Sequence, residues 1–212
     1  MAFKADVILK GGTLVNHDGV GQRDVAVSGG RITGIGHYGK EQADEVIDCT
    51  GLHILPGVID SQVHLREPGA EHKEDLETGG RAAVMGGVTS VFEMPNTNPL
   101  TTTEEALADK VRRATNRMYC DFAFYMGGTR DNAHLLGDLE RLPGCAGTKV
   151  FMGSSTGNLL VVDDDGVATI LKHICRRAAF HSEDEFRLND RKGERIEGDP
   201  SSHPVWRDAE AA

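Results

Sequence analysis

Aromatic residues are scarce in this sequence: one tryptophan, three tyrosines and seven phenylalanines make up 5% of its 212 residues. Apolar residues together reach 39%, which is ordinary for a globular protein, so aliphatic side chains must supply most of the core. No apolar run is long enough for a membrane span, and we expect no signal peptide at residues 1–6. The length suits one sizeable domain, or roughly one and a half.

Cysteine pairs and clusters of basic residues are also missing. No two of the four cysteines form a Cys-x-x-Cys motif, which excludes zinc and redox sites of that type and predicts a reduced, cytoplasmic protein. The formal net charge is −10, with lysine and arginine scattered along the chain. This balance argues against binding to nucleic acid or to an anionic membrane.

Short strands separated by tight turns fill the first quarter of the sequence. Strand-like runs occur at 5–9, 13–15, 24–27, 31–35 and 45–49, with no helical period among them. Ser28-Gly29-Gly30 separates two of these runs, and glycines in such a turn predict a β-hairpin. We expect antiparallel pairing and assign residues 1–54 to a small β-sandwich region.

Strands alternate with helices from Leu55 onward. The predicted strands are 58–64, 87–94, 121–126, 147–152 and 178–181, and the predicted helices are 72–85, 101–117, a short one from Asp131 and one after Asp165. Thr101 and Glu104 read as a capping box. Such alternation indicates a parallel sheet covered by helices. The predicted fold class is α/β, with residues 55–212 as the N-terminal part of a (β/α)8 TIM-type barrel, truncated before the last strands.

A closed barrel of this type needs about eight strand–helix units, and the sequence supplies about five. An open wall would leave parallel edge strands unpaired, which is a liability for stability. Two interpretations follow: the sequence is the N-terminal part of a longer chain, or it is a domain that must pair with another.

The segment Gly57–Gly69 carries polar residues in a strand-like pattern. Alternation on a strand would place Asp60, Gln62 and His64 on one face, with Arg66 in the same phase if the strand continues that far. Polar groups on a buried face are costly unless a site uses them. The alternative is an edge strand with a solvated polar face.

Three residues at strand ends could bind a metal ion. Lys149 precedes the apolar run 150–152, where burial would lower its pKa and allow it to act as a nucleophile or a carbamate; alternatively its amine reaches solvent. His64 and His181 end separate strands, and imidazoles that converge on one barrel mouth suit Zn²⁺, although a single histidine is more often structural.

Two further side chains could bind a substrate. Arg66 offers a planar guanidinium suited to a carboxylate, and Asn96 offers a donor and an acceptor to an amide. The glycine-containing loop 153–157 could contact a ligand through backbone N–H groups, but this signal is weak because such loops are common.

Four segments of the sequence resemble dihydroorotases of the amidohydrolase superfamily. They are Leu55–Gly69 with Arg-Glu-Pro-Gly, Glu93–Pro99 with Met-Pro-Asn-Thr, Lys149–Asn158, and His181–Asp184. The two tetrapeptides are the most specific part of the resemblance. Hydantoinases and allantoinases share the fold and the metal chemistry but usually differ at those positions.

This resemblance implies a cytoplasmic enzyme of de novo pyrimidine biosynthesis that interconverts N-carbamoyl-L-aspartate and L-dihydroorotate. It implies one or two Zn²⁺ ions that activate a water and polarise the amide carbonyl. His64 would bind the first metal, Lys149 as a carbamate would bridge, and His181 would bind the second. Arg66 and Asn96 would hold the substrate carboxylate.

Two departures from the family pattern bear on activity. Gln62 stands where the family has the first histidine of His-x-His, so we expect the first metal site to be weakened. The chain also ends before the family's remaining histidine ligand and its proton-shuttling aspartate. We therefore assign no catalytic residue within residues 1–212 and expect this chain alone to be weak or inactive.

Two other functions remain open. One is a hydantoinase- or allantoinase-type cyclic amidohydrolase, and the other is a non-catalytic dihydroorotase homologue that acts as a binding partner. The expected partner of the enzyme is its small-molecule substrate, with no nucleic acid and no membrane; assembly into a homo-oligomer is left open.

Overall fold

A computed structural model describes residues 4–155 and 158–212. Contacts divide the chain into two compact units, the first ending at Gly57 and the second running Val58–Ala212. The division expected from sequence lies between residues 54 and 55. The two units are described separately below.

The first unit consists of short strands in two sheets. Its strands are β1 Ala5–Lys10, β2 Thr13–Asn16, β3 Gly19–Gln22, β4 Asp24–Ser28, β5 Arg31–Gly36, β6 Ala43–Asp48 and β7 His53–Ile54. One sheet has the order β5-β4-β1-β6 and the other the order β3-β2-β7. The predicted β4–β5 hairpin is confirmed, with Gly29 and Gly30 at positive φ in its turn.

The expectation of purely antiparallel pairing in this unit is wrong. β1 pairs with β6, and β2 with β7, in parallel. The sequence pattern identifies the strands but carries no signal for these pairs, because their partners are far apart along the chain. Ala5, Ile8 and Ala26 form the small core of the β1 sheet.

The second unit is built on one parallel sheet of five strands in the order β12-β11-β10-β9-β8. The strands are β8 Val58–Val63, β9 Val88–Glu93, β10 Asp121–Gly127, β11 Cys145–Phe151 and β12 Ala178–His181, and every neighbouring pair is parallel. The predicted fold class is confirmed: the sheet curls as part of a TIM-type barrel wall, preceded in sequence by the smaller sheets.

Helices follow the strands of this sheet. They are α1 Leu76–Met85, α2 Glu104–Ala114, α3 Leu136–Leu139, α4 Asp164–His173, α5 Glu185–Asp190 and α6 His203–Trp206, with short 3₁₀ turns between some of them. The predicted cap at Thr101 is wrong. Thr103 caps α2 by accepting a hydrogen bond from the Ala106 N–H, whereas Thr101 is buried and its carbonyl accepts from the Gly127 N–H.

The sheet has two differently filled faces. The helix side carries the main core, which includes Val91, Phe124 and Val150. The other side carries a smaller cluster of Met94, Tyr125 and Ala146, with Phe92 and Ala179 packed against it. Because side chains alternate along a strand, these clusters show which residues face the barrel interior. No helix within residues 4–155 and 158–212 is long and apolar enough to cross a membrane.

The first strand of the barrel wall differs from the prediction. β8 ends at Val63, and Asp60 and Gln62 are exposed, as are Val58 and Ile59 at 53% and 60%. β8 is the last strand of the described sheet on its side, so its residues lack a neighbouring strand there. β8 ends before His64, and Arg66 adopts a positive φ, so the alternation predicted to continue to Arg66 is wrong beyond Val63.

Candidate active site

His64 follows β8 directly and is held beside the end of β9. The Met94 N–H donates to the Val63 carbonyl over 3.0 Å, which joins the two strand ends. The His64 side chain forms a hydrogen bond with Asn96, so these predicted site residues meet. Both side chains are half-buried.

Arg66 departs from extended geometry at the point where the chain leaves the strand. Its φ is +64°, in the left-handed region that non-glycine residues rarely adopt. Such a conformation costs on the order of 1 kcal/mol and persists where the surroundings impose it. Buried Leu65 and Glu67 flank Arg66, and Arg117 contacts the Glu67 carboxylate at 2.8 Å. Arg66 is therefore set between two anchored neighbours.

The surroundings of His64 are electropositive. Burial lowers the pKa of His64, and the positive charges of Arg66, Lys149 and Lys110 lower it further, while the hydrogen bond to Asn96 opposes them. The imidazole is consequently held neutral near physiological pH, the form in which it can bind a metal ion. The same positive charges would attract an anionic ligand.

Lys149 is buried in the central part of the sheet. It is 1% exposed, and Val150, its neighbour on β11, lies in the helix-side core, so the Lys149 side chain faces the barrel interior. Its Nζ lies 4.9 Å from the centre of the Phe151 ring. Burial lowers the pKa of this amine. Among the described residues, no carboxylate pairs with it and no hydrogen bond to its Nζ is formed.

His181 ends β12 and is linked to Lys149 through one aromatic ring. The imidazole stacks on Phe151 with ring centres 5.9 Å apart and an angle of 28°. Phe151 thus contacts both of these predicted ligands. β11 and β12 are in parallel register here, with Phe151 opposite His181.

His181 also has a carboxylate partner that the sequence reasoning missed. Its Nε2 contacts Glu183, and Arg207 forms an ion pair with the same carboxylate through its Nε at 2.8 Å. Burial would raise the pKa of Glu183, but the hydrogen bonds from Arg207 and His181 outweigh it and the pKa is lowered. A carboxylate on one ring nitrogen fixes the orientation of a histidine and leaves the other nitrogen for a metal.

The described residues fit a zinc site in part. His64 favours the neutral form, Lys149 is a buried amine without an anionic partner, and His181 has the carboxylate that orients metal-binding histidines. Within residues 4–155 and 158–212, no group of three or more His, Cys, Asp or Glu side chains is close enough to hold a metal ion. A complete site would therefore need the carbamate form of Lys149 or ligands from elsewhere.

Two predicted features near the site contribute less. Gln62 is exposed on the edge strand. In the loop predicted at 153–157, Thr156 and Gly157 lie outside the described residues, and the Ser154 N–H donates to Glu185 over 2.8 Å. A cavity of about 460 Å³ lies beside Glu183, but Asp163, Asp184 and Phe186 line it rather than His64 or Lys149.

Comparison with known proteins gives a consistent family. The dihydro-orotase-like family model matches residues 51–131. An allantoinase of Deinococcus radiodurans is 35% identical over 187 residues, which are 85% of this chain and 42% of that protein. A dihydroorotase of Bacillus pumilus is 51% identical over 86 residues, covering 41% of this chain and 20% of the relative.

Solved structures agree with this result. An L-hydantoinase (dihydropyrimidinase) from Arthrobacter aurescens superposes with a TM-score of 0.86 and 30% identity, over 98% of this chain and 49% of its own. The chain therefore spans less than half the length of these relatives. These relatives are an allantoinase, a dihydroorotase and a hydantoinase, and all three names denote enzymes that hydrolyse cyclic amides.

Proposed function

Because the chain belongs to the amidohydrolase superfamily, whose enzymes are generally metal-dependent, we propose that it carries the substrate- and metal-binding half of a dihydroorotase. The reaction is the reversible cyclisation of N-carbamoyl-L-aspartate to L-dihydroorotate in pyrimidine biosynthesis. Such a reaction would place the protein in the cytoplasm, as its unpaired cysteines also predict.

The observation that carries this proposal is the guanidinium of Arg66 close to His64, where its positive charge lowers the pKa of the imidazole. Dihydroorotate and carbamoyl aspartate bear carboxylates, whereas allantoin and hydantoin are uncharged amides. A site that presents a guanidinium gains more from the charged substrates, because Arg66 can bind a carboxylate with two parallel hydrogen bonds.

Asn96 has a matching role. Its side chain forms a hydrogen bond with His64, the same imidazole whose pKa the charge of Arg66 lowers. An amide can donate to a carboxylate or to a ring carbonyl of the substrate. We assign Arg66 and Asn96 to substrate binding and His64 to the first metal.

Zinc, when bound, supplies a Lewis acid that makes water nucleophilic at neutral pH and polarises an amide carbonyl. His64, Lys149 and His181 are the residues that would hold it. The buried amine of Lys149 is neutral more readily than a free lysine, and a neutral amine can add to carbon dioxide, lose a proton and become an anionic carbamate. Glu183 keeps the His181 ring in one orientation.

An allantoinase is the second candidate, favoured by the 35% identity with the Deinococcus radiodurans protein across most of the chain. The two candidates separate on substrate. The full-length gene product that contains this chain, supplied with zinc and bicarbonate, is assayed with L-dihydroorotate, allantoin and hydantoin at equal concentration. We expect hydrolysis of dihydroorotate to be the fastest and to weaken when Arg66 is changed.

Preferential hydrolysis of allantoin would reject the dihydroorotase assignment. Protein that binds dihydroorotate, binds no zinc and hydrolyses none of the three amides would support a non-catalytic homologue. Protein that binds neither zinc nor any of the three amides would reject the proposed function altogether.

A further inference from the structure

An ion pair lies buried between α2 and the sheet, outside the proposed set of ligands. Lys110 Nζ is 2.6 Å from the Glu93 carboxylate, and each of the two side chains is 1% exposed. Glu93 alternates with Phe92 on β9 and therefore points to the helix side, where Lys110 of α2 reaches it. Burial raises the pKa of Glu93 and lowers that of Lys110, and their mutual attraction opposes both shifts.

Burying two charges is an expensive way to stabilise a core. Apolar residues of similar volume often give equal or greater stability, because charges lose their hydration when they are buried. Neither Glu93 oxygen has a well-aligned hydrogen bond, so the attraction to Lys110 is chiefly Coulombic. The pair is thus poorly explained by stability alone.

The contacts of the pair reach both segments that carry the proposed substrate-binding residues. Lys110 Nζ donates to the Met94 carbonyl over 3.2 Å, two residues before Asn96. The Met94 N–H, next to Glu93 along the chain, donates to the Val63 carbonyl, next to His64, over 3.0 Å, and the backbone N–H of Leu65 lowers the pKa of Glu93. The ring of Phe124 lies 4.9 Å from Lys110 Nζ and closes the other side.

We propose that the Glu93–Lys110 ion pair is a positioning device that fixes segment 64–66 relative to segment 94–96, so that His64, Arg66 and Asn96 meet. Neither residue touches substrate or metal; both act through the backbone of their neighbours. This inference rests on the proposed function for the roles of His64, Arg66 and Asn96 in binding metal and substrate. The geometry that the ion pair imposes does not depend on that function.

The test removes both charges together. In Glu93→Gln/Lys110→Met the side chains keep similar volumes, no buried charge is left unpaired, and the hydrogen bond to the Met94 carbonyl is lost. A matched control is Asp24→Asn/Lys10→Met, which neutralises the 3.1 Å ion pair of the first unit. Both variants are made in the full-length protein that contains this chain, and KM, kcat, zinc affinity and thermal midpoint are compared.

We expect the Glu93/Lys110 variant to fold and to show a KM for dihydroorotate raised on the order of 10–100-fold, because a small misplacement of substrate-positioning groups can cost about that much. The kcat should change less than KM. The control variant should keep the wild-type KM even if its thermal midpoint falls. A wild-type KM in the Glu93/Lys110 variant, with only a lowered thermal midpoint, would overturn the inference and leave a purely structural pair.

Amide hydrogen exchange gives a readout that needs no substrate. Faster exchange confined to residues 64–66 and 94–96 in the double variant, with α4 unchanged, is expected. Unchanged exchange there would also overturn the inference. Should the double variant fail to fold, the apolar pair Glu93→Leu/Lys110→Met, which also leaves no buried charge unpaired, carries the same two measurements. If the wild-type protein neither binds nor hydrolyses dihydroorotate, the proposed function fails, while the exchange experiment still tests the positioning.

Discussion

Two buried lysines lie on opposite sides of the same sheet, and only one of them is neutralised by a neighbour. Lys110 and Lys149 are each 1% exposed, and each has its Nζ 4.9 Å from the centre of a phenylalanine ring. Lys110 faces Glu93 at 2.6 Å and donates to a carbonyl. Lys149 meets no carboxylate among the described residues.

This difference separates a cation that organises the fold from an amine available for chemistry. The Glu93–Lys110 pair contacts the two segments that carry Arg66 and Asn96, and we therefore associate this pair with substrate binding. The Lys149 region contains Phe151 and His181, and we associate it with the metal. Burial lowers the pKa of both lysines, but only at Lys110 does a partner counteract the shift.

The largest expected effect follows replacement of Lys149. Lys149→Ala removes the proposed bridging ligand, and we expect turnover to be abolished and bound zinc to decrease. Activity with dihydroorotate and zinc content measured by elemental analysis check the result. Lys172→Ala, on the exposed face of α4, is the matched control and should behave as wild type. Retained turnover and zinc in Lys149→Ala would show that Lys149 has only a structural role, and the two lysines would then not differ in function.

Replacement of Lys110 should act on folding first. Lys110→Met leaves the Glu93 carboxylate buried without a cation, and breaking a buried pair in this way typically costs about 3–5 kcal/mol of unfolding free energy. Urea denaturation measures the loss. A loss of unfolding free energy below about 1 kcal/mol would show that the Glu93–Lys110 pair does not stabilise the folded protein.

Arg66→Met should separate the two regions by function. We expect it to weaken binding of the carboxylate substrate by roughly 2–5 kcal/mol, because a buried charge partner is lost, without altering zinc content. KM and equilibrium binding of dihydroorotate check the first part and elemental analysis the second. An unchanged KM would remove Arg66 from the substrate site, and lost zinc would place it on the metal side.

The smallest expected effect is on the pH dependence of stability. The folded-state pKa of Lys149 is lowered by burial, so between that pKa and the value of about 10.4 for a free lysine the unfolded chain binds more protons. Stability from this group therefore rises with pH through that window. In zinc-free buffer without carbon dioxide, wild type should gain stability relative to Lys149→Met as pH increases. A constant difference would show that Lys149 is charged in the folded protein.

Much of the barrel wall could be predicted from the sequence because its signals are local. Apolar runs followed by amphipathic stretches predicted five strands close to their observed positions, and the end of β12 at His181 agrees with the structure. The parallel pairs of the first unit could not be read in this way, because pairing between distant segments leaves no local pattern.

The geometry of the site was less predictable. Extending the strand alternation to Arg66 failed because β8 ends at Val63 and Arg66 adopts a positive φ, which a non-glycine residue gives no sign of in sequence. The Glu93–Lys110 pair left a signal that was available. Lys110 shares the apolar stripe of α2 with Leu107 and Ala114, and Glu93 interrupts an apolar strand.

The partner of His181 shows a different limit. Glu183 follows His181 by two residues, so its proximity could have been predicted from the sequence. Arg207, which forms an ion pair with the Glu183 carboxylate, lies 24 residues further along the chain and is brought close by the fold. Sequence reasoning named the three proposed metal ligands; their proximity to one another remains a prediction.

Carbamylation of Lys149 tests the central claim most directly. The protein is incubated with zinc and ¹³C-bicarbonate, and the carbamate carbon is followed by ¹³C NMR in the wild type and in Lys149→Arg. We expect a protein-bound carbamate signal in the wild type that disappears in the variant, together with part of the bound zinc. No signal in the wild type, or equal zinc in both proteins, would contradict the role of Lys149 as the reactive buried amine.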